Sequence, residues 1–257
     1  MDIKGKTVLI TGASAGIGEA CADVFAEAGA NLILLARRKA KLDKMSNNLK
    51  SKYDIEIFIS ECDVRNRKQV GKTLEELPAN FKNIDILINN AGLARGLNKI
   101  QEGSFDDWDE MLDTNIKGLL NVSRFILPGM IQRKDGHIIN IGSFAGHEVY
   151  PGGNVYCATK HAVKALSKAM AIDLNGTGVR VTNVDPGLVE TEFSEVRFHG
   201  NAERAKTVYE GYTPLKGKDI AEVVLFCCTR PKYVTVRDVL VTPTDQATTT
   251  ILNKTKQ

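Results

Sequence analysis

The chain has few cysteines and no pattern among them. Cys21, Cys62, Cys157, Cys227 and Cys228 are odd in number, lack CxxC spacing and have no histidine cluster near them. That gives no sign of a disulfide framework or a zinc site and leaves reduced thiols in a cytoplasmic protein as the simple expectation. No metal is expected. A dense lysine or arginine run is also missing and the net charge of +3 is mild, so charge gives no reason to expect nucleic acid or a membrane surface as partner. No apolar run has the length of a membrane span, and Asp2, Lys4 and Lys6 lead straight into an apolar stretch, which predicts a soluble, unprocessed chain. Internal repeats, low-complexity segments and linkers are absent. What is present is 257 residues with 43% hydrophobic content, enough for one large α/β domain over residues 1–257.

Short β-branched or aliphatic runs alternate with longer helical patterns along the chain. Strands are predicted over residues 7–11, 31–36, 55–61, 84–89, 138–142, 179–184 and 239–242. Between them, helices are predicted over 17–28, 40–53, 67–77, through Trp108, over 115–133, from Tyr156 onward and over 219–228. Gly136-His137 is taken as the turn into the fifth strand. Seven strands joined by helices imply a Rossmann-type doubly wound parallel sheet with helices on both faces, because right-handed crossovers place helices on each side.

Two stretches carry chemistry within that frame. Gly12, Ser14, Gly16, Ile17 and Gly18 lie between the first strand and first helix. Glycine there permits a tight turn and close backbone approach, and the helix N-terminus attracts a phosphate. Its GxxxGxG spacing differs from GxGxxG, but its place at the first crossing favours a dinucleotide site over a plain turn. The second stretch is Tyr156-Cys157-Ala158-Thr159-Lys160, which sets a phenol and an ammonium on one helix face beside Val163, Leu166 and Met170. A free phenol titrates at about 10, and a nearby cation favours the phenolate, which suits a general acid or base. Tyr212 and Lys216 repeat the spacing around Pro214, so spacing alone does not settle the reading.

The sequence is identified as a member of the short-chain dehydrogenase/reductase family by several motifs in order. Besides TGASAGIG and YCATK, these are Asn89-Asn90-Ala91-Gly92, Asn115 in Asp113-Thr114-Asn115, Ser143, and Pro186-Gly187. Each falls at a strand end or helix start, on the edge where open α/β sheets bind ligands. The segment from Pro186 to Phe198, with Asp63-Val64-Arg65 and Gly152-Gly153-Asn154, resembles the 3-hydroxy acid dehydrogenase subfamily, which includes serine and allo-threonine dehydrogenases. The resemblance implies that Tyr156 exchanges a proton with the substrate oxygen and that Ser143 hydrogen-bonds that oxygen. It implies that Lys160 lowers the phenol pKa and binds the nicotinamide ribose, and that Asn115 bends its helix and holds a water. It implies further that Asp63 and Val64 meet the adenine and that Asn90, Ala91, Gly92, Pro186, Gly187, Val189 and Thr191 line the cofactor. Relatives are often homotetramers that pair through two long helices, here 115–133 and 156–174.

The end of the second strand decides the cofactor. An NAD site wants an acid there for the ribose 2′-hydroxyl, whereas a 2′-phosphate needs positive charge. The chain reads Ala36-Arg37-Arg38, so NADP is expected, with Ser14 as a further ligand. For the substrate, a carboxylate entering a partly apolar pocket must meet a cation. In the loop of about 187–215, Glu190, Glu192 and Glu195 would repel an acid and Arg197 is the nearest positive charge. Arg197 is therefore the expected anchor of a small 3-hydroxy acid, with His147 and His199 as weaker candidates and a salt bridge to a glutamate as the plainer role. Two rival readings are kept. One is a reductase of 3-oxoacyl carrier-protein thioesters, with Arg133 and Lys134 in a docking patch; the other is a non-catalytic NADP-sensing protein.

Overall fold

A computed structural model describes residues 2–255 of the chain. In chain order the elements are β1 (Thr7–Thr11), α1 (Gly16–Glu27), β2 (Asn31–Ala36), α2 (Lys39–Lys52), β3 (Ile57–Glu61), α3 (Arg67–Glu75), β4 (Ile86–Asn89), α4 (Phe105–Leu112), α5 (Leu119–Arg133), β5 (Gly136–Ile141) and α6 (Asn154–Asp173). They continue with β6 (Val179–Pro186), β7 (Val189–Glu190), α7 (Phe193–Arg197), α8 (Ala202–Thr207), β8 (Leu215–Lys216), α9 (Gly217–Thr229) and β9 (Asp238–Val241). Seven strands form one sheet in the order β3-β2-β1-β4-β5-β6-β9, every neighbour parallel. The strand order reverses between β1 and β4, and a crevice opens at their carboxyl ends.

Successive residues of each strand point to opposite faces, and both faces are covered. Ile10, Leu32 and Leu34 pack with Phe25 of α1, Leu42 of α2 and Val224 of α9. Leu9, Ile33 and Leu35 pack on the other side with Val70 of α3, Val122 and Ile126 of α5 and Leu174 just past α6. This is why the strands read as continuous apolar runs rather than alternating ones.

Two local expectations are corrected. Gly136-His137 is not a turn: the chain turns at Lys134, in a left-handed conformation with φ 51°, and both residues belong to β5, with His137 paired to Ile86 and Arg180. Gly136 is needed for space, since a Cβ there would lie 2.6 Å from the Met130 sulfur. The helix expected to begin at Asn115 instead continues from α4, through a π-helical stretch Asp113–Gly118, into α5. Within the expected loop, β7 pairs with β8 in a separate two-stranded sheet, and α7 and α8 are short helices. Among the described residues no helix is long and apolar enough to cross a membrane.

Candidate active site

A cleft of about 440 Å³ follows the carboxyl edge of the sheet, from the glycine turn to the loop after β6. At its floor, Gly12 has φ +65°, and a Cβ on it would meet the Ala91 Cα at 2.8 Å. The Thr11 hydroxyl accepts hydrogen bonds from the backbone N–H groups of Asn90 and Ala91, both at 3.0 Å. The Asn90 amide in turn donates to the carbonyls of Thr11 and Gly12 at 2.9 and 3.2 Å. Gly18 lets that amide in, for a Cβ there would lie 2.4 Å from its nitrogen. The ends of β1 and β4 are thereby locked together. No side chain caps α1 at Ala15, so the N–H groups of its first turn, which begins at Gly16 and Ile17, offer an uncapped helix N-terminus suited to an anion. Thr191 of the later loop sits 3.2 Å from where a Gly16 Cβ would stand, and the backbone N–H of Leu188, next to Gly187 and Val189, donates to Gln246 at 2.9 Å.

The end of β2 is cationic. Arg38 donates through Nε to the Ser14 hydroxyl at 3.1 Å and through Nη2 to the Ser14 carbonyl at 3.3 Å. Its Nη1 reaches Glu192 at 2.7 Å, and Lys41 contacts the same carboxylate at 2.5 Å. Those two cations hold the Glu192 carboxyl below the usual range despite some burial. Lys41 is a third positive charge that sequence reasoning missed, although it lies one helical turn from Arg38. Arg37 is half exposed, 3.4 Å from Glu110. Asp63 is gripped by Arg65 at 2.6 to 3.0 Å; burial raises its pKa, but the Arg65 hydrogen bonds outweigh that and leave it low. Val64 is buried beside it, against Gly118.

At the other end of the cleft, Tyr156 and Lys160 lie in the first two turns of α6, 8% and 6% exposed. Lys160 donates to the Ile141 carbonyl at 2.9 Å, and its Nζ stands 5.9 Å from the Tyr156 ring centre. Burial pushes its pKa down to about 8, against an opposing pull from Asp185. The π-helical stretch turns Asn115 inward, where its amide donates to the Leu93 carbonyl at 2.9 Å and the Thr159 hydroxyl at 3.0 Å. Its oxygen accepts from the Leu93 N–H at 2.9 Å. Gly92 leaves room here: a Cβ on it would lie 3.2 Å from the Asn115 oxygen and 3.6 Å from the Lys160 nitrogen. Burial raises the Tyr156 phenol pKa, and the strongest opposing influence is Arg197, followed by the neighbouring Ser143 hydroxyl. Arg197, an arginine of α7, thus joins Lys160 as a cation beside the phenol.

Among the described residues Arg197 forms no salt bridge with a glutamate; its polar partner is a tyrosine. It donates through Nη2 to the Tyr150 hydroxyl at 2.8 Å, and its guanidinium lies 5.0 Å from the Tyr156 ring centre and 5.2 Å from that of Phe193. Its Nε is buried and meets no acceptor among the described residues. Tyr150, half-buried beside it, gave no signal in the sequence because its part depends on a contact between distant segments. The weaker candidates are engaged elsewhere: His199 is exposed with Asp107 at 3.2 Å, and His147 meets Asp185 at 2.6 Å. Tyr212 donates to the Val208 carbonyl at 3.0 Å, outside any helix shared with Lys216, so the second YxxxK spacing is a coincidence of a loop. Arg133 donates to the Ile84 carbonyl and Lys134 precedes β5. Both stand at the amino edge of the parallel strands, away from the cleft mouth, which removes them as a docking patch there.

Residues 6–202 match the short chain dehydrogenase family. The chain belongs to that family. It is 44% identical over 245 residues, covering 95% of both chains, to the NADP-dependent 3-hydroxy acid dehydrogenase of Schizosaccharomyces pombe. It is 46% identical over 241 residues, 93% of this chain and 96% of the other, to the enzyme of that name from Salmonella typhi. Among solved structures, the closed form of serine dehydrogenase complexed with NADP+ superimposes with a TM-score of 0.92 at 43% identity, covering 98% of this chain and all of that one. The chain is thus an oxidoreductase with a seven-stranded Rossmann-type sheet. Its cleft has the lining that NADP needs: the uncapped N-terminus of α1 over a glycine turn would meet the pyrophosphate, and Arg38, Arg37 and Lys41 would face the 2′-phosphate.

Proposed function

We propose that the protein interconverts a small 3-hydroxy acid, of the serine, allo-threonine or 3-hydroxypropionate type, with its semialdehyde, using NADP(H). The observation that supports this substrate is Arg197: a guanidinium stacked over the Tyr156 ring with a buried, unpartnered Nε. A buried donor without an acceptor is costly, and a carboxylate on the reacting molecule meets that need while its 3-oxygen reaches Tyr156.

When bound, the nicotinamide supplies or accepts the hydride. Gly12, Ser14, Gly16, Ile17 and Gly18 would hold its pyrophosphate, Arg37, Arg38 and Lys41 its 2′-phosphate, and Asp63 and Val64 its adenine. Asn90, Ala91, Gly92, Pro186, Gly187, Val189 and Thr191 would line the remainder. Tyr156 takes the proton from the 3-hydroxyl in oxidation and returns it in reduction, Ser143 hydrogen-bonds the same oxygen, and Lys160 and Asn115 carry the proton onward. Arg197 serves twice: it anchors the carboxylate and it favours the phenolate.

Kinetics of Arg197→Met test the substrate. We expect kcat/KM for 3-hydroxypropionate to fall about 10- to 100-fold, the worth of a charged hydrogen bond, and far less for an uncharged alcohol of similar size. Equal losses for both would mean that Arg197 serves only the phenol or the loop. We read residues 1–257 as one domain that works in the cytoplasm, a setting that its five free, buried thiols support. It assembles as a homotetramer, for which the exposed apolar side chains Leu120, Phe125 and Ile131 along α5 and Ile172 on α6 provide the support.

A further inference from the structure

Asp185, near the end of β6, is a carboxylate with no exposed surface. The family reading gives it no task. Its Oδ1 accepts from the backbone N–H of Ser143 at 2.9 Å, and Oδ2 accepts from His147 Nε2 and Asn183 Nδ2, both at 2.6 Å. It fills the space beside Gly142 so fully that a Cβ there would fall 1.8 Å from Oδ1. The turn that presents Ser143 to the cleft is therefore moulded around this carboxylate. Lys160 donates to Ile141, the residue just before Gly142, so both partners of Tyr156 rest on the same short stretch.

We propose that Asp185 is a positioning residue of the reaction: its buried carboxylate fixes the Ser143 turn and sets a negative charge behind the short stretch on which Ser143 and the Lys160 ammonium both rest. This rests on the assignment of Tyr156 as the proton-transfer group, but not on the identity of the substrate. The charge is felt at both catalytic groups, opposing the fall of the Lys160 pKa and adding to the rise of the Tyr156 pKa. Burial raises the Asp185 carboxyl itself, and His147 and the Ser143 N–H counter that rise. The groups facing it are Ser143 and His147 from the turn after β5, Tyr156, Lys160 and Lys164 from α6, Asn183 from its own strand and Asp238 from β9. Lys164 lies 3.9 Å from Asp185, 3.1 Å from Asp238 and 2.7 Å from the His147 ring. His147, Asp185 and Asp238 bring donor atoms within 4.8 Å of one another, but the Lys164 ammonium stands among them and does the work of a cation. The charge behind that stretch is thus balanced by a lysine that is 15% exposed at the protein surface.

The test is the pH profile of kcat for alcohol oxidation, in which activity rises as Tyr156 loses its proton. Asp185→Asn keeps an acceptor for the Ser143 N–H and removes the charge. The rising limb is expected to move to lower pH by roughly one unit, with NADPH binding by fluorescence as the check that the cleft is intact. Lys164→Met removes the balancing cation and is expected to move the limb to higher pH. If Asp185→Asn does not fold, the Lys164 variant alone decides. A purely structural Asp185 would lower kcat at every pH and leave the limb where it is in the wild type, and an unmoved limb in whichever variant folds overturns the proposal. Because the profile can be read with any alcohol the enzyme turns over, failure of the substrate assignment shows instead as a wild type inactive on 3-hydroxy acids.

Discussion

Tyr156 is a phenol that burial alone would keep neutral, so the charges arranged around it decide whether it can act as a base. Arg197 above the ring and the Ser143 hydroxyl favour the phenolate, and Asp185 opposes it. Tyr156→Phe retains the ring that packs against Phe193 and loses only the acid. It is expected to bind NADPH normally and to lose turnover by about 10²-fold or more, as steady-state rates and a fluorescence titration will show; near-normal turnover would remove Tyr156 from the mechanism. Tyr212→Phe should leave the rate intact, because its hydroxyl serves only the Val208 carbonyl. At the far end of the cleft, Arg38 pairs with the Glu192 carboxylate at 2.7 Å, which shows that its guanidinium is placed to hold an anion. The double variant Arg37→Ala, Arg38→Ala should therefore lose most of the preference for NADP over NAD in a comparison of kcat/KM, and an unchanged ratio would mean that the 2′-phosphate is bound elsewhere. Tyr156 and Lys160 were legible from their helical spacing, Ser143 and Asn115 from family motifs, and Arg37 and Arg38 from their place at the end of the second strand. Lys41, Tyr150 and Asp185 were not, since their parts depend on partners 47 to 151 residues away or on a buried turn.

At the scale of elements, the sheet was readable because parallel strands buried on both faces are plain apolar runs bounded by helical patterns. The misread pieces are those where a side-chain rule met a packing demand. Gly136 looked like a turn former but stands inside β5 against Met130. The π-helical stretch Asp113–Gly118 breaks the 3.6-residue period by one residue, which hid the continuity of α4 with α5 and which also aims Asn115 at Leu93. The short helices α7 and α8 have five and six residues, too few to show a period. Gly136→Ala tests the packing account: the added methyl crowds Met130 and should cost about 1–3 kcal/mol, seen as a lower urea midpoint. Because β5 begins at the edge opposite the cleft, the rate of the folded variant should match the wild type, and an unchanged midpoint would show that Met130 yields freely.

Taken whole, the molecule is a parallel sheet whose carboxyl edge carries the glycine turn at one end of a cleft and Tyr156 at the other, with Glu192 and Phe193 of the later loop touching Arg38 and Tyr156 respectively. Its outer helices leave apolar side chains exposed on α5 and α6, and light scattering should give the mass of four chains; a monomer at micromolar concentration would contradict that assembly. The most direct measurement is a rate comparison on the purified protein with 3-hydroxypropionate, serine and an uncharged alcohol of similar size, each with NADP and with NAD. The expected result is a kcat/KM highest for a 3-hydroxy acid with NADP, falling both when the carboxylate is removed and when the 2′-phosphate is removed. An uncharged alcohol oxidised as well as the acid, or NAD used as well as NADP, would contradict it.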